Sequence, residues 1–310
     1  MTLTELRYIV AVARERHFGR AAAACHVSQP TLSIAVKNLE EELDLKIFER
    51  ASNEITVTPV GQDVIAQAQR VLDQVASIKE IAKLGKDPLA GPLRLGIIYT
   101  IGPYLLPQLV KQMIKRVPQM PLILQENFTV RLLEMLRLGE LDAAILAEPF
   151  ADHGLAQTPL YDEGFMIAVP SDHAFASRKS VASSELEKEN MLLLGAGHCF
   201  RDHVLGVCPE FSQFPSNSEG ISRSFEGSSL ETIRHMVASG MGVTVLPRLS
   251  VPAEPLKSSM LRFVPFSDTP EPSRRVVLVW RKSFTRHEAI AALRNAVMAC
   301  KLDSVHKLSL

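Results

Sequence analysis

The first 43 residues contain three helix-forming stretches, and the apolar pattern breaks abruptly before the third. Apolar side chains recur at helical spacing over residues 3–13 and again over residues 18–25. Residues 26–28 interrupt the pattern, and the last of them, Ser28, is a good N-cap for the helical pattern that follows. Four consecutive alanines at 21–24 would let two helices cross closely over a short turn. The pattern therefore predicts a helix-turn-helix.

The outward side of the second of these helices carries side chains suited to reading a DNA groove, because they can hydrogen-bond to base edges and phosphates. The candidate DNA-contacting residues on it are Gln29, Pro30, Thr31, Ser33 and Lys37. An ordinary helical hairpin with a polar outer face would show the same pattern. Net charge does not decide between the two, since the chain holds 34 Lys and Arg against 34 Asp and Glu.

A small hairpin and a long helix are predicted next. Residues 48–50 and 55–58 alternate like strands around Ser52-Asn53, as a wing would, and Arg50 would face phosphates. After Thr58 and Pro59, apolar residues recur in steps of four and three from Val64 to Ala82. This narrow stripe favours pairing with a second copy of the chain, with packing on the chain's own core as the alternative.

Five ordered motifs in this region identify a family resemblance. They are Phe18-Gly19-Arg20-Ala21-Ala22, Ser28-Gln29-Pro30-Thr31-Leu32-Ser33, Lys37-Asn38-Leu39-Glu40, Phe48-Glu49-Arg50 and Thr58-Pro59-Val60-Gly61. Together they resemble the signature of LysR-type transcription regulators. The resemblance implies a winged helix-turn-helix over residues 1–60, a linker helix over 61–86 and a regulatory domain over 87–310. It also implies binding to double-stranded promoter DNA, contact with RNA polymerase and a homotetramer built as a dimer of dimers.

The remaining chain has the rhythm of an α/β domain. After a hinge at residues 85–92, strand-like runs alternate with helical ones, which predicts βαβ units and a parallel sheet. Two lobes are expected, with residues 276–280 and 287–300 returning to complete the first, and residues 301–307 are expected to form a solvated tail. This architecture, and the segment from Ser228 to Val243, resemble the periplasmic-binding-protein-like effector domain of the same family. The expected fold class is therefore α/β, with an N-terminal winged helix-turn-helix and linker helix followed by a two-lobed effector domain.

The most informative segment of the regulatory half runs from residue 194 to residue 203. Cys199 follows two glycines where a strand gives way to a helix, so backbone N–H groups and the positive helix end would favour a thiolate. Cys208 lies nine residues on, roughly 13 Å away along a helix axis, whereas a disulfide needs Cα atoms within about 7 Å. A bond between these cysteines would require the segment to unwind.

This segment is also similar to the redox segment of peroxide-responsive LysR-type regulators, as are residues 99–107 and 126–129. The resemblance implies that Cys199 reacts with hydrogen peroxide and that Cys208 resolves it as a disulfide, which activates antioxidant genes. By the same resemblance, six residues hold peroxide or steer the thiolate: Thr100, Thr129, His198, Arg201, Asp202 and Arg275. His203 stands where this family commonly has glutamine.

Several alternatives remain open at this point. The cysteines could be inert core residues, as we expect for Cys25 and Cys300, and His198, Cys199, His203 and Cys208 could ligate zinc. The chain could also answer a small organic effector, or it could be a thiol peroxidase. We expect a regulator and not an enzyme, with no metal and no cofactor. A cytoplasmic location without a membrane segment is expected, because no apolar run approaches the ~18 residues of a membrane span.

Overall fold

The computed structural model describes residues 1–51, 54–83, 87–151, 153–209, 226–227, 229–252, 260–302 and 305–308. The chain divides into two compact units. The first comprises Met1–Pro88, Arg137–Glu140 and Ser283–Thr285, and the second comprises Leu89–Leu136, Leu141–Lys282 and Arg286–Leu310.

The first unit is a helix-turn-helix with a two-stranded hairpin and a long helix. Its elements are α1 (Leu3–Glu15), α2 (Phe18–Ala24), α3 (Gln29–Glu42), β1 (Phe48–Ala51), β2 (Glu54–Val57) and α4 (Pro59–Lys83). Side chains cap the helices: Ser28 Oγ accepts from the Thr31 N–H at the start of α3, and His17 Nδ1 accepts from two N–H groups at the start of α2. The strands β1 and β2 are antiparallel, and the turn predicted at Ser52-Asn53 lies outside the described residues.

The apolar stripe of α4 has two different environments. Val64, Ala68 and Val71 pack against the core of the helix-turn-helix. This packing is the alternative to pairing with a second copy of the chain. Ile78, two turns further on, is 66% exposed. The N-terminal half of the stripe therefore stabilises its own unit, and Ile78 is the member of the stripe, among the side chains that the structure describes, that is exposed to a second chain.

The second unit contains five α-helices and ten strands among its described residues, besides short 3-10 turns. They are β3 (Leu93–Ile98), α5 (Gly102–Arg116), β4 (Leu122–Asn127), α6 (Thr129–Arg137), β5 (Ala143–Ala147), β6 (Leu155–Pro170), β7 (Leu193–Leu194), α7 (Cys199–Val207), β8 (Glu226–Gly227), α8 (Leu230–Ala238), β9 (Thr244–Pro247), β10 (Leu261–Pro265), β11 (Ser273–Arg281), α9 (His287–Ala299) and β12 (Val305–Lys307).

Strand β6 connects two lobes. Its N-terminal part pairs with β11, and its C-terminal part pairs with β9 and β10. The first lobe contains the parallel neighbours β4, β3 and β5, followed by β11 and β6. The second lobe has its own apolar core, which includes Phe165, Phe200, Val204 and Cys208. The two-lobed α/β fold is confirmed.

Two details of the fold differ from the sequence expectation. The sheet is mixed, because β11 runs antiparallel to both β5 and β6. The expected solvated tail is wrong for residues 305–307, which form β12 and pair with β6. Lys307 Nζ there donates to the carbonyl oxygens of Met298 and Cys300, so its charge stabilises the C-terminal end of α9. The expectations for Gly85 and Ser228 lie outside the described residues.

Candidate functional site

Cys199 is the first residue of α7 and is partly exposed. The preceding backbone turns sharply at Gly197, whose φ of +95° strains any residue with a side chain. A Cβ atom at that position would make only an ordinary contact with the ring of Phe128, so the requirement for glycine comes from the backbone. The turn at Gly197 presents Cys199 at the N-terminus of the helix.

A small, open pocket lies beside Cys199. Three segments build it: the end of β3, the junction of β4 and α6, and the turn before α7. The lining residues are Ile98, Tyr99, Thr100, Asn127, Phe128, Thr129, Gly197, His198 and Cys199. Four of the predicted site residues, Thr100, Thr129, His198 and Cys199, are thus brought together.

The two threonines of the pocket differ in their hydrogen bonding. Thr100 Oγ1 accepts from Arg274 Nη1 at 2.8 Å, which leaves the hydroxyl hydrogen of Thr100 available to another acceptor. Thr129 Oγ1 is buried and has no hydrogen-bond partner among the described residues. A buried hydroxyl without a partner is destabilising and is uncommon in native proteins. Because the Thr129 hydroxyl lines the pocket, its lack of a partner indicates a ligand that hydrogen-bonds there.

Behind Thr100 lies a buried ion pair that the sequence did not reveal. Arg274 and Glu163 both have fully buried side chains, and Arg274 Nε donates to Glu163 Oε2 at 2.8 Å. The other carboxylate oxygen, Oε1, accepts from the backbone N–H of Leu249 at 2.8 Å. The guanidinium also lies 5.0 Å from the ring centroid of Phe200 in α7. Arg274 thereby connects the pocket, the second lobe and the cysteine-bearing helix.

Three rings form one wall of the pocket. His198 is buried, and its ring centroid lies 4.8 Å from that of Phe128 in an edge-on arrangement and 5.9 Å from that of Tyr99. Tyr99 and Phe128 pack edge to face at 5.3 Å. This packing fixes the imidazole beside Cys199.

The other residues predicted to contact peroxide do not line the pocket. Arg201 Nη1 donates to the carbonyl oxygen of Leu194 at 2.9 Å, and Asp202 is exposed on α7. Arg275 forms an exposed bidentate pair with Asp162 at 2.8 and 3.0 Å. A direct role for these three residues stays a prediction, and it is Arg274, the neighbour of Arg275, that contacts the lining residue Thr100.

Cys208 caps the C-terminal end of α7 and is fully buried. The residues between it and Cys199 are helical, so the two Cα atoms lie roughly 13 Å apart by helix geometry. No disulfide joins any pair of the four cysteines, all of which are among the described residues. Burial raises the pKa of the Cys25 and Cys300 thiols, which lowers their thiolate fraction at neutral pH.

His203 occupies the middle of α7. Its Nε2 is hydrogen-bonded to the carbonyl oxygen of Glu148, and its Nδ1 is buried without a partner among the residues that the structure describes. Burial lowers the pKa of this imidazole below the ordinary value of 6.5, although the bond to Glu148 opposes the effect. His203 is therefore held as a neutral ring.

In the first unit, α3 presents the predicted DNA-contacting residues. Gln29, Pro30, Thr31 and Lys37 are exposed and Ser33 is partly exposed, whereas the side chain of Arg50 lies outside the described residues. Lys37 does pair with Glu41 at 3.3 Å, but such an exposed pair is weak enough for a phosphate to displace.

One exposed apolar side chain on α3 was missed from the sequence. Ile34 is 59% exposed between Ser33 and Lys37. An apolar side chain in this position can contact the methyl group of thymine. The signal available in the sequence was its place outside the apolar spacing set by Leu32, Val36 and Leu39.

Two observations on the described residues bear on the possibilities of a zinc site and a membrane segment. No group of three or more His, Cys, Asp and Glu side chains is placed to hold a metal ion. No helix in this part of the chain is long and apolar enough to cross a membrane.

Comparison with known families accounts for both units. Residues 3–62 match the bacterial regulatory helix-turn-helix of the lysR family, and residues 86–299 match the LysR substrate binding domain. The chain belongs to the LysR family of regulators. Family members similar to it include the DNA-binding transcriptional dual regulator OxyR of Escherichia coli K12, which is 38% identical over 310 residues that cover 99% of each chain.

Solved structures of LysR regulators agree with this result. A full-length OxyR variant from Pseudomonas aeruginosa is 49% identical, with a TM-score of 0.75 and coverage of 97% of this chain and 99% of that one. A hydrogen peroxide-bound OxyR mutant from Corynebacterium glutamicum is 34% identical, with a TM-score of 0.63 and coverage of 96% of this chain and 91% of that one. The chain is thus closely related to OxyR over its whole length.

Proposed function

We propose that this protein is a transcription regulator that senses hydrogen peroxide through Cys199 and activates antioxidant genes. The observation that carries the proposal is the pocket in which the Cys199 thiol, the available Thr100 hydroxyl and the unpartnered Thr129 hydroxyl converge. Peroxide is small, has no charge and both donates and accepts hydrogen bonds, so it matches this set. Similarity to OxyR proteins, one of them solved with hydrogen peroxide bound, supports the same substrate.

The chemistry proceeds in two steps. The Cys199 thiolate attacks one peroxide oxygen, the O–O bond breaks, and sulfur is oxidised by two electrons to the sulfenic acid. The other oxygen leaves as hydroxide and becomes water on taking a proton. Thr100, whose hydroxyl is polarised by Arg274, and Thr129 hydrogen-bond the peroxide and stabilise the leaving oxygen.

Cys208 completes the reaction. Its sulfur attacks the sulfenic sulfur, the S–O bond breaks, and the hydroxyl leaves as water with the thiol proton of Cys208. Because α7 separates the two sulfur atoms, the disulfide forms only when this helix unwinds. The rearrangement changes the contacts between the protein and promoter DNA.

We propose in addition that α3 reads the promoter and that the protein acts as a homotetramer, a dimer of dimers, which contacts RNA polymerase. Gln29, Thr31, Ser33 and Lys37 would contact bases and phosphates from the exposed face of α3, with Pro30 in its first turn and Arg50 at the wing. The exposed Ile78 on α4 supports pairing of two chains along that helix.

One experiment tests this function against its rivals. The reduced protein receives one equivalent of hydrogen peroxide, disulfides are mapped by mass spectrometry, and a promoter is footprinted before and after. We expect a Cys199–Cys208 disulfide and an altered footprint, a trapped sulfenic acid in Cys208→Ser, and no response in Cys199→Ser. A reduced Cys199 with a footprint that changes only on adding a metabolite would instead favour an organic effector. Sustained peroxide turnover without an effect on DNA would favour a thiol peroxidase.

A further inference from the structure

His203 ties the cysteine-bearing helix to the first lobe. The acceptor of its hydrogen bond, the Glu148 carbonyl, directly follows β5, whereas α7 packs on the core of the second lobe. A carbonyl oxygen can only accept, so His203 Nε2 carries the proton and donates it. The ring also lies beside Phe165 and Phe200, with centroids 6.3 Å from each.

The position of this tether matters for the disulfide. His203 lies four residues after Cys199 and five before Cys208, in the middle of the segment that separates them. The cysteine Cα atoms must approach from roughly 13 Å to within about 7 Å, which requires helical hydrogen bonds of α7 to break. A side chain anchored to the other lobe from the middle of α7 opposes that movement.

The same tether has no direct part in the first oxidation. His203 is absent from the pocket lining, and its donor is engaged by Glu148. The groups proposed to meet the peroxide are Cys199, at the N-terminal end of α7, and the two threonines of the pocket, which belong to other segments. A contribution of His203 should therefore be visible in the second chemical step and absent from the first.

We propose that His203 is a positioning residue that slows disulfide formation by holding α7 to the Glu148 carbonyl, and so sets how long the Cys199 sulfenic acid persists. This inference rests on the proposed function, because it concerns the attack of Cys208 on that sulfenic acid. The bonds made and broken are those already given for this step. The tether changes only the free energy needed to bring the two sulfur atoms together.

The test compares His203→Phe with His203→Gln in the full-length protein. Phenylalanine keeps a flat ring between Phe165 and Phe200 but removes the donor, whereas glutamine keeps an N–H donor at similar reach. Reduced protein is mixed with one equivalent of hydrogen peroxide and quenched at intervals with acid and a sulfenic acid trap. Mass spectrometry then gives the amounts of thiol, sulfenic acid and disulfide.

We expect Cys199 to lose its thiol at the wild-type rate in both variants. Disulfide formation from the sulfenic acid should be about fivefold faster in His203→Phe, the factor that corresponds to one hydrogen bond of about 1 kcal/mol. It should stay near the wild-type rate in His203→Gln. If circular dichroism shows that His203→Phe does not fold, His203→Leu is measured with the same expectation.

An unchanged or slower second step in the donor-free variant overturns the inference, as does an equal change in both steps. If Cys199 of the wild-type protein does not react with peroxide at all, the proposed function itself fails. The two failures are distinguishable because the first leaves sulfenic acid and disulfide in the wild-type sample.

Discussion

Arg274 donates twice to Thr100, from Nη1 to the hydroxyl oxygen at 2.8 Å and from Nη2 to the carbonyl oxygen at 3.1 Å. Strand β11 thereby fixes both the side chain and the backbone of a residue that lines the pocket. The cation is itself fixed by Glu163, so the geometry of the pocket depends on a buried charge pair.

Arg274 and Arg275 give a matched pair of variants. Arg274→Ala leaves the buried Glu163 carboxylate without its partner and should lower the free energy of unfolding by about 3–5 kcal/mol. Arg275→Ala removes only an exposed pair and should cost less than about 1 kcal/mol. Urea denaturation followed by the fluorescence of Trp280, which lies in the same strand, measures both. Equal losses would contradict the assignment of Arg274 as the buried partner.

Thr129→Val should separate activity from stability. Valine has nearly the shape of threonine and removes a hydroxyl that is buried without a partner, so the free energy of unfolding should stay the same or rise. Reaction of Cys199 with peroxide should slow about tenfold, because one hydrogen bond to the substrate is lost. Thr100→Val is the control: it removes the hydroxyl that accepts from Arg274 Nη1 and should lower both the free energy of unfolding and the rate of reaction. A Thr129→Val protein that reacts at the wild-type rate would remove this residue from the site.

Cys199 should be alkylated faster than Cys25 and Cys300. Burial raises the pKa of the Cys25 and Cys300 thiols, and Cys300 also donates its S–H to the Ala296 carbonyl. We expect iodoacetamide to modify Cys199 before either of them at neutral pH, as measured by peptide mass spectrometry over time. Labelling of Cys300 at the rate of Cys199 would show that the selectivity for peroxide does not arise from thiol environment.

The lowered pKa of His203 should make the stability of the protein depend on pH. Its pKa in the folded protein is lowered from 6.5 by burial, so the unfolded chain binds more protons in the interval just below that value. The free energy of unfolding should therefore fall as the pH drops below 6.5. At higher pH the stabilising contribution of the neutral His203 ring should be complete. Urea denaturation at about pH 7.5 and about pH 5.5 measures the decrease, which His203→Gln should reduce since glutamine does not titrate. An identical decrease in the variant would assign the effect to other groups.

The cap of α2 gives a test within the first unit. His17 Nδ1 accepts from the Gly19 and Arg20 N–H groups, so His17→Ala should lower the free energy of unfolding by about 1 kcal/mol. His17→Asn should restore most of it, because asparagine is a good N-cap. The comparison uses denaturation monitored by circular dichroism. If asparagine is no better than alanine, the ring contributes by packing and not as a cap.

The arginine pair also shows what the sequence could not decide. Ser273, Arg274 and Arg275 alternate exposed, buried, exposed along β11, but the next four residues are all buried. That apolar run has no period of two, so nothing in the sequence indicates which arginine points inward. The contact with Glu163, more than a hundred residues away, determines which of the two arginines is buried.

Other parts of the fold were predictable for physical reasons. The apolar pattern of residues 287–300 predicted α9 to within one residue, and the run at 276–280 lies inside β11. The family motifs located Cys199 and both pocket threonines. Strand β12 was missed because its polar sequence, Val305-His306-Lys307, resembles a tail, and only pairing with β6 makes it a strand.

Strand β6 runs through sixteen residues without interruption and belongs to the sheets of both lobes. A lobe that unfolds therefore releases one end of a strand whose other end belongs to the sheet of its neighbour. The regulatory unit should melt as a single cooperative block, and a rearrangement around α7 in the second lobe reaches the first through shared backbone as well as through side chains.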